Sequence, residues 1–220
     1  MNIRAVLFDL DGTLVNSLDD LTDAVNHVRD AFSQPAMTTD AVRMKVGKGA
    51  RHLVQQVLPA AADHDIDRAL GMFLDYNRQH IADKSVLYPG IMEMLQELAA
   101  RKIRMAVLTN KNEALSKILL QTLGVDNLFE INCGGDTYPE RKPSPLPLLK
   151  VMAEMGIAPD ECVMAGDSVN DILAAQRAAI PSIACSWGYG GGEELAGADA
   201  LAHNPHELLA LITSGIGTQP

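Results

Sequence analysis

The stretch RAVLFDLDGTL, residues 4–14, decides the fold of this chain. It opens with an apolar run, Ala5 to Phe8, and then changes abruptly to acidic residues, a glycine and a threonine. A short apolar run that ends at turn-forming residues is typical of a buried strand in a parallel sheet. Two acids, Asp9 and Asp11, therefore follow the carboxyl end of the first predicted strand.

Similar apolar runs recur in the second half of the chain and alternate with helical patterns. The further predicted strands are residues 103–108, 128–132, 161–165, 182–185 and 198–201. Apolar residues at helical spacing predict helices at residues 90–101, 113–123, 146–155, 170–179 and 205–213. This alternation predicts an α/β fold, a Rossmann-like parallel sheet with helices on both faces.

One segment interrupts the alternation directly after the first strand. Between residues 17 and 87 the sequence predicts no strand and three helical stretches, residues 18–32, 39–58 and 65–84. Thr38 is placed to cap the second stretch, and Gly47 and Gly49 predict a break within it. An all-helical insertion of this size predicts a small second domain. The predicted division is therefore into an α/β core, residues 1–15 and 88–220, and a helical cap, residues 16–87.

The composition indicates a globular, acidic protein. Of the 220 residues, 47% are hydrophobic and 21% are charged, and 18 basic against 28 acidic residues give a net charge of −10. These values exclude a largely disordered chain, and the acidic balance argues against a nucleic-acid binder. No apolar run approaches the ~18 residues that a membrane-spanning helix needs, and the N-terminus does not resemble a signal peptide.

The three cysteines are Cys133, Cys162 and Cys185. They are widely spaced, odd in number and form no CxxC motif, which argues against a disulfide scaffold or a zinc site. We expect buried, small apolar thiols in a reducing compartment. The expected localisation is therefore cytoplasmic.

Polar side chains follow four of the predicted strands in a way that suggests one shared site. They are Asp9, Asp11 and Thr13 after the first strand, Thr109 and Asn110 after the second, Lys142 after the third, and Asp167 and Asp171 after the fourth. Taken singly, each has an ordinary explanation as a helix cap, a turn residue or a solvated lysine. Because the carboxyl ends of parallel strands meet at one edge of the sheet, however, these side chains should converge. Grouped carboxylates repel one another unless a cation lies between them, and oxygen ligands beside a phosphate suit Mg²⁺.

The same residues form four motifs: DLDGTL at 9–14, TN at 109–110, KP at 142–143 and GDSVND at 166–171. In this order they resemble the motifs of the haloacid dehalogenase superfamily. The resemblance covers the whole chain, including the helical insertion after the first motif. It implies a phosphoric monoester hydrolase whose partner is a small anionic phosphate ester, with no nucleic acid and no membrane. A monomer or a homodimer is the expected state.

The resemblance also implies a role for each motif residue. Asp9 would be the nucleophile that forms an aspartyl phosphate, and Asp11 would be the general acid and then the general base. Lys142 would stabilise the charge shared by Asp9 and the phosphoryl group. Thr109 and the backbone near Asn110 would bind the phosphate oxygens.

Mg²⁺ is the cofactor that the resemblance implies. Its ligands would be the carboxylates of Asp9 and Asp167 and the backbone carbonyl of Asp11. Asp171 would act behind these ligands or through a water molecule. Members of the superfamily that act on haloacids or phosphonates lack an acid at the position of Asp11, so its presence implies a phosphate ester.

Three segments resemble the phosphoglycolate phosphatase branch: VGKGAR at 46–51, GDSVND at 166–171 and WGYG at 187–190. This makes 2-phosphoglycolate the implied substrate. Lys48 and Arg51 would then meet the carboxylate of the leaving alcohol, unless they are simply solvated. A phosphorylated sugar or sugar acid is the alternative substrate. A phosphosugar mutase is a further alternative, although mutases carry a His where this chain has Leu21, and the nearest His is His27.

Two further features concern loops rather than chemistry. Relatives usually have Gly at the position of Ala179, and a left-handed helix end there would cost Ala about 1 kcal/mol. The glycines at 190–192 are not followed by the Lys-Ser/Thr of a phosphate-binding loop, so they predict a flexible connection.

Overall fold

The structure, a computed structural model, describes residues 2–214; Met1 and residues 215–220 of the predicted core lie outside the described residues. The strands are β1 Ala5–Phe8, β2 Val15–Asn16, β3 Val86–Leu87, β4 Arg104–Leu108, β5 Ile131–Cys133, β6 Cys162–Gly166, β7 Ser182–Cys185 and β8 Ala200–Ala202. The helices are α1 Leu18–Ala31, α2 Thr39–Arg43, α3 Ala50–Val57, α4 Asp63–Gln79, α5 Ile91–Ala100, α6 Glu113–Thr122, α7 Leu146–Met155, α8 Val169–Arg177, α9 Gly192–Leu195 and α10 Pro205–Ser214.

The predicted parallel sheet is confirmed. Six strands pair in the order β5-β4-β1-β6-β7-β8, and every pairing in this sheet is parallel. The weakest predicted strand, residues 128–132, is shifted. Asp126–Leu128 form a 3₁₀ turn, and the strand proper is β5, Ile131–Cys133. A strand this short leaves little apolar pattern from which to set its ends.

The sheet has helices on both faces because the buried side chains of its strands alternate. Val6 and Phe8 of β1 belong to one hydrophobic cluster, which includes the apolar sides of α5, α6 and α10. Ala5 and Leu7 point the other way, into a cluster with α7 and α8. Strands that are buried on both faces read as continuous apolar runs, and this is why the sequence predicted them.

Strand register brings the functional loops together. Phe8 of β1 lies beside Val107 of β4 and Ala165 of β6. The residues that follow, which begin with Asp9, Leu108 and Gly166, therefore leave the sheet side by side. This is the carboxyl edge, where ligands bind in open parallel sheets.

Helices α1 to α4 form the predicted insertion and pack around a hydrophobic cluster of their own, which includes Leu21, Val25, Val54 and Phe73. The Thr38 hydroxyl accepts a hydrogen bond from the Ala41 amide, as the predicted cap requires. The predicted break within residues 39–58 is also confirmed, because α2 ends at Arg43 and α3 begins at Ala50. The boundaries assigned to a core and a cap domain stay a prediction.

The prediction of no strand between residues 17 and 87 is wrong at the last two residues of that segment, where β3 lies. The two connections of the insertion, β2 and β3, pair with each other as a short antiparallel ladder. The buried carboxylate of Asp20, at the start of α1, accepts hydrogen bonds from the Lys84 and Ser85 amides and the Ser85 hydroxyl. A two-residue ladder has too few positions to give a periodic signal, so the sequence could not reveal it.

The remaining expectations concern local features. Ala179 has φ 55°, and its amide and that of Ile180 donate to the carbonyls of Gln176 and Ala175, so the predicted left-handed helix end is confirmed. All three cysteines are free and buried, and burial raises the pKa of the Cys133 thiol to about 11. Within residues 2–214, no helix combines the length and the apolar character needed to cross a membrane.

Candidate active site

A cavity of about 650 Å³ lies between the carboxyl edge of the sheet and the helical insertion. Cavities of roughly 300–1,000 Å³ are the usual size for small-molecule sites. On the sheet side its walls include Asp9, Asp11, Thr109, Asn110 and Asp167. On the insertion side they are largely apolar, with Leu21, Val46, Leu53 and Phe73. The cavity therefore has a charged floor and a largely apolar roof.

Three carboxylates cluster at the floor of this cavity. One oxygen from each of Asp9, Asp167 and Asp171 lies within 4.8 Å of the other two. Asp9 follows β1, and the other two follow β6 and begin α8. The convergence expected from the sequence is therefore present in the geometry.

Lys142 is the cation that faces this cluster. Its Nζ lies 3.0 Å from Asp9 Oδ1 and 2.6 Å from Asp171 Oδ1, and it donates to the Leu108 carbonyl. Burial by itself lowers the pKa of the ammonium, but the charges of Asp171 and Asp9 outweigh that effect and the net shift is upward. Lys142 is therefore held as a fixed positive charge although it is almost fully buried.

Asp167 is fixed by two neutral donors. The Thr13 hydroxyl donates to its Oδ1 over 2.9 Å, and the Tyr189 amide donates to its Oδ2 over 2.7 Å. Gly12 lets the turn after β1 come this close, because its φ is +90° and a Cβ there would lie 2.2 Å from Asp167 Oδ2. The first motif and the fourth motif are thus packed directly against each other.

The charge of the cluster is not balanced by the protein alone. Three carboxylates face one ammonium, so full ionisation of the cluster would leave two uncompensated negative charges at the floor. Burial, the largest cause, raises the pKa of Asp9 to about 7 and that of Asp167 to about 8, where Asp9 and Asp171 add repulsion. Such a group of oxygen donors fits a divalent cation, and Mg²⁺ in particular prefers carboxylates and binds beside phosphates.

Asp171 differs from the other two carboxylates because the protein already occupies both of its oxygens. Its Oδ1 accepts from Lys142, and its Oδ2 accepts from the Ser168 amide and hydroxyl, over 3.0 and 2.7 Å. This arrangement fits a residue that orients the lysine and the start of α8 more than a residue that contacts the ion directly.

Asp11 stands apart from the cluster of three carboxylates and is surrounded by different partners. The Ser17 hydroxyl donates to its Oδ1 over 2.5 Å, and the Tyr189 hydroxyl lies 3.2 Å from that of Ser17. The Lys111 ammonium lies 3.2 Å from both carboxylate oxygens. The side chain of Asp11 is 13% exposed and lines the cavity, so it is accessible to a bound ligand.

Thr109 and Asn110 are buried at the end of β4 and line the same cavity. The Asn110 side chain donates to the carbonyls of Gly47 and Lys142, and so joins the insertion to the core. Its Oδ1 is buried and has no hydrogen-bond partner among the described residues, which leaves an acceptor for a ligand or a water molecule.

Lys48 and Arg51 are not brought to this site. Both side chains are exposed, neither lines the cavity, and Arg51 forms an ion pair with Asp67 on α4. They follow the Gly47 turn, so their backbone lies near the site while their side chains lie outside it. Their contact with a substrate stays a prediction that the geometry does not favour.

Two cations that do line the cavity were assigned no role from the sequence, Arg43 and Lys111. Arg43 donates to the carbonyls of Gly188 and Tyr189 over 2.8 and 3.1 Å. Lys111 directly follows the Thr109-Asn110 motif, and this adjacency was the available signal. Nothing in the sequence marked Arg43, whose position depends on how the insertion packs on the core.

The loop at 187–190 was also given no role in the site. Trp187 Nε1 donates to the Thr13 carbonyl, the Tyr189 amide holds Asp167, and the Tyr189 hydroxyl accepts from the Ser17 amide. One loop therefore touches the turn after β1, the fourth motif and, through Arg43, the insertion. The glycine-rich continuation at 190–192 lines the cavity.

Known proteins resemble this chain over nearly its whole length. A family model described as haloacid dehalogenase-like hydrolase matches residues 6–185. Phosphoglycolate phosphatase of Chromobacterium violaceum is 39% identical over 219 residues, which cover 97% of this chain and 98% of that protein. Phosphoglycolate phosphatase of Colwellia psychrerythraea is 41% identical over 199 residues, 87% of this chain and 88% of that protein. A crystal structure described as that of a predicted phosphoglycolate phosphatase from Haemophilus somnus has a TM-score of 0.91 at 29% identity, with 96% of this chain and 98% of that chain covered.

Proposed function

Since the chain belongs to the haloacid dehalogenase-like hydrolases, we propose that it is a Mg²⁺-dependent phosphomonoesterase that acts through an aspartyl phosphate. The observation that carries the proposal is the group of Asp9, Asp167 and Asp171 around Lys142, with Asp11 nearby on the same cavity wall. The proposed substrate is a small phosphorylated metabolite, with 2-phosphoglycolate as the first choice. The names of the similar proteins support that choice.

In the first proposed step, a carboxylate oxygen of Asp9 attacks phosphorus while the bond from phosphorus to the ester oxygen breaks. Asp11 donates a proton to the departing alkoxide, which leaves as the alcohol. Lys142, whose Nζ lies 3.0 Å from Asp9 Oδ1, counters the negative charge that Asp9 and the phosphoryl group would otherwise bring together. Thr109 and the backbone near Asn110 bind the phosphoryl oxygens.

In the second proposed step, Asp11 takes a proton from a water molecule as that water attacks the phosphorus of the aspartyl phosphate. The bond between phosphorus and Asp9 breaks, Asp9 recovers its carboxylate, and inorganic phosphate leaves. One acid thus serves first as a donor and then as an acceptor of a proton, and it ends the cycle as it began.

The proposed holders of Mg²⁺ are the carboxylates of Asp9 and Asp167 and the backbone carbonyl of Asp11, with Asp171 behind them. When bound, the ion supplies positive charge that offsets repulsion between the phosphate dianion and the attacking carboxylate. The protein prepares this site by orienting Asp167 through Thr13 and Tyr189. We also propose that residues 16–87 act as a cap that limits the access of bulk water to the cavity.

One residue bears on the choice between a phosphatase and a phosphosugar mutase. Leu21, which stands where mutases carry a His, lines the cavity, and no His is among the described lining residues. His27 instead stacks on Tyr76, with ring centroids 4.5 Å apart. The apolar Leu21 at this position therefore favours a phosphatase over a mutase.

The proposal is tested by replacing the nucleophile with its isosteric amide. Asp9→Asn should fold, as judged by circular dichroism, and should lose hydrolysis of p-nitrophenyl phosphate and 2-phosphoglycolate. Asp75→Asn, on the exposed side of α4, is the matched control and should retain wild-type turnover. Chelation with EDTA should stop the wild-type reaction, and added Mg²⁺ should restore it. Turnover that persists in Asp9→Asn, or in wild type under full chelation, would contradict the mechanism.

A further inference from the structure

Lys111 is a nearly buried cation that the mechanism above does not use. Its side chain is 6% exposed and lines the cavity, and its ammonium lies 3.2 Å from each carboxylate oxygen of Asp11. An ammonium has three N–H donors, and Asp11 is its only ion-pair partner among the described residues. Lys111 can therefore accept a further anionic partner from the cavity.

The position of Lys111 relative to a bound substrate follows from its contact with Asp11. In the proposed reaction Asp11 reaches the ester oxygen of the substrate, so Lys111 is next to the leaving group rather than next to the phosphoryl group. In an α-phosphoryloxy acid such as 2-phosphoglycolate, the carboxylate is on the carbon that bears the ester oxygen, and its oxygens lie only about 3 Å from that ester oxygen. Such a carboxylate would fall within hydrogen-bond range of an ammonium that already touches Asp11.

Positive charge is scarce in this cavity, so few residues can bind a second anionic group of the substrate. The described lining residues carry the acids Asp9, Asp11, Asp40, Asp167, Glu193 and Glu194 against the cations Arg43 and Lys111. Lys142, below the floor, is held by Asp9 and Asp171. The Arg43 guanidinium binds two carbonyls of the loop at 187–190. Lys111, which lies beside Asp11, is therefore the better placed of the two lining cations to meet a second negative charge on the substrate.

We propose that Lys111 determines substrate specificity by binding a carboxylate on the carbon that bears the ester oxygen. The inference rests on the proposed function, and it deepens it by naming α-phosphoryloxy acids as the substrate class. It also replaces Lys48 and Arg51 as the residues that recognise the leaving group.

The test compares two substrates that differ in one group, 2-phosphoglycolate and 2-hydroxyethyl phosphate. Lys111→Met keeps the length of the side chain and removes its charge. The ratio of kcat/KM for 2-phosphoglycolate to that for 2-hydroxyethyl phosphate should fall by about 10- to 100-fold, the value of a charged hydrogen bond. Arg43→Met, Lys48→Met and the exposed Lys150→Met should leave this ratio close to that of wild type. Lys111→Arg should retain most of the preference.

An inhibition measurement on the wild-type enzyme tests the inference even if the Lys111 variants fail to fold. The inert analogue 3-phosphonopropionate should inhibit more strongly than propylphosphonate, which lacks the carboxylate, again by about 10- to 100-fold. Equal inhibition would overturn the inference.

The remaining outcomes separate this inference from the function on which it rests. Equal loss on both substrates in Lys111→Met would mean that Lys111 only orients Asp11, and it would overturn the inference alone. A fall in the ratio for Lys48→Met or Arg43→Met, but not for Lys111→Met, would do the same. If wild type hydrolyses none of these esters and no p-nitrophenyl phosphate, the proposed function fails and the inference fails with it.

Discussion

Substitution of Gly188 tests whether the loop at 187–190 fixes the position of Asp167. A Cβ at Gly188 would lie 2.3 Å from Asp167 Cβ, 2.4 Å from Asp167 Oδ2 and 2.4 Å from the Gly12 carbonyl oxygen. Optimal contacts between such atoms are about 3.5–4.0 Å, so Gly188→Ala must displace Asp167 or the turn after β1 by about 1 Å. A misplacement of that size at a catalytic group costs about 100-fold in rate.

The assay is kcat for p-nitrophenyl phosphate at saturating Mg²⁺, together with the Mg²⁺ concentration that gives half of the maximal rate. Gly188→Ala should lower kcat by about 100-fold and raise the Mg²⁺ requirement, because Asp167 is a proposed ligand. Gly191→Ala is the matched control in the same loop, since a Cβ there meets no atom within 4 Å. It should keep kcat within about threefold of wild type, as substitutions without new contacts usually do.

Stability must be measured on the same variants to interpret the result. Overpacking of this kind costs about 1–3 kcal/mol of unfolding free energy, which should lower the melting temperature but leave the protein folded at 25 °C. A folded Gly188→Ala enzyme with wild-type kcat and wild-type Mg²⁺ dependence would refute the claim that close packing of this loop fixes Asp167.

Two further predictions concern a helix end and the acid Asp11. Ala179→Gly should stabilise the protein by about 0.5–1 kcal/mol in urea unfolding, because φ is 55° there, and Gly156→Ala at φ 61° should destabilise it by a similar amount. If Ala179→Gly leaves the free energy of unfolding unchanged while Gly156→Ala lowers it, the claim that Ala179 is strained by its left-handed conformation is refuted. Tyr189→Phe should lower kcat by about tenfold, because it removes the hydroxyl that holds Ser17 against Asp11 and leaves a buried donor without a partner. The control is Tyr138→Phe, because the Tyr138 hydroxyl donates to the exposed Glu154. Equal kcat in the two variants would count against an orienting role for Tyr189.

The sequence predicted the parts of this molecule that depend on local pattern. Strands buried on both faces are continuous apolar runs, and a polar residue or a glycine follows each strand of the sheet. Since parallel strands end at one edge, a list of residues after each strand was enough to group Asp9, Thr109, Lys142 and Asp167. The left-handed conformation of Ala179 was likewise readable, because it depends on the chain within one helix turn.

The features that escaped prediction depend on contacts between distant segments. Tyr189 meets Ser17 across 172 positions, and Arg43 meets Gly188 across 145. Neither contact leaves a periodic or compositional signal in either segment. Lys48 illustrates the same limit, since its cationic character and nearness in sequence to the Gly47 turn say nothing about the direction of its side chain. Pattern located the catalytic floor, whereas the arrangement of the insertion above it required the three-dimensional structure.

The four aspartates of the site show how one side-chain type can be given distinct tasks by its surroundings. Asp171 has both oxygens occupied by donors and is the least free to react. Asp167 has one neutral donor on each oxygen, which fixes its direction without cancelling its charge. Asp9 has Lys142 as its ion-pair partner and is partly open to the cavity, as a nucleophile must be. Asp11 lies outside the cluster beside a hydroxyl and an ammonium, where it can exchange a proton with a leaving group without competing for the metal. The roles proposed for these residues therefore rest on the number and the charge of their neighbours.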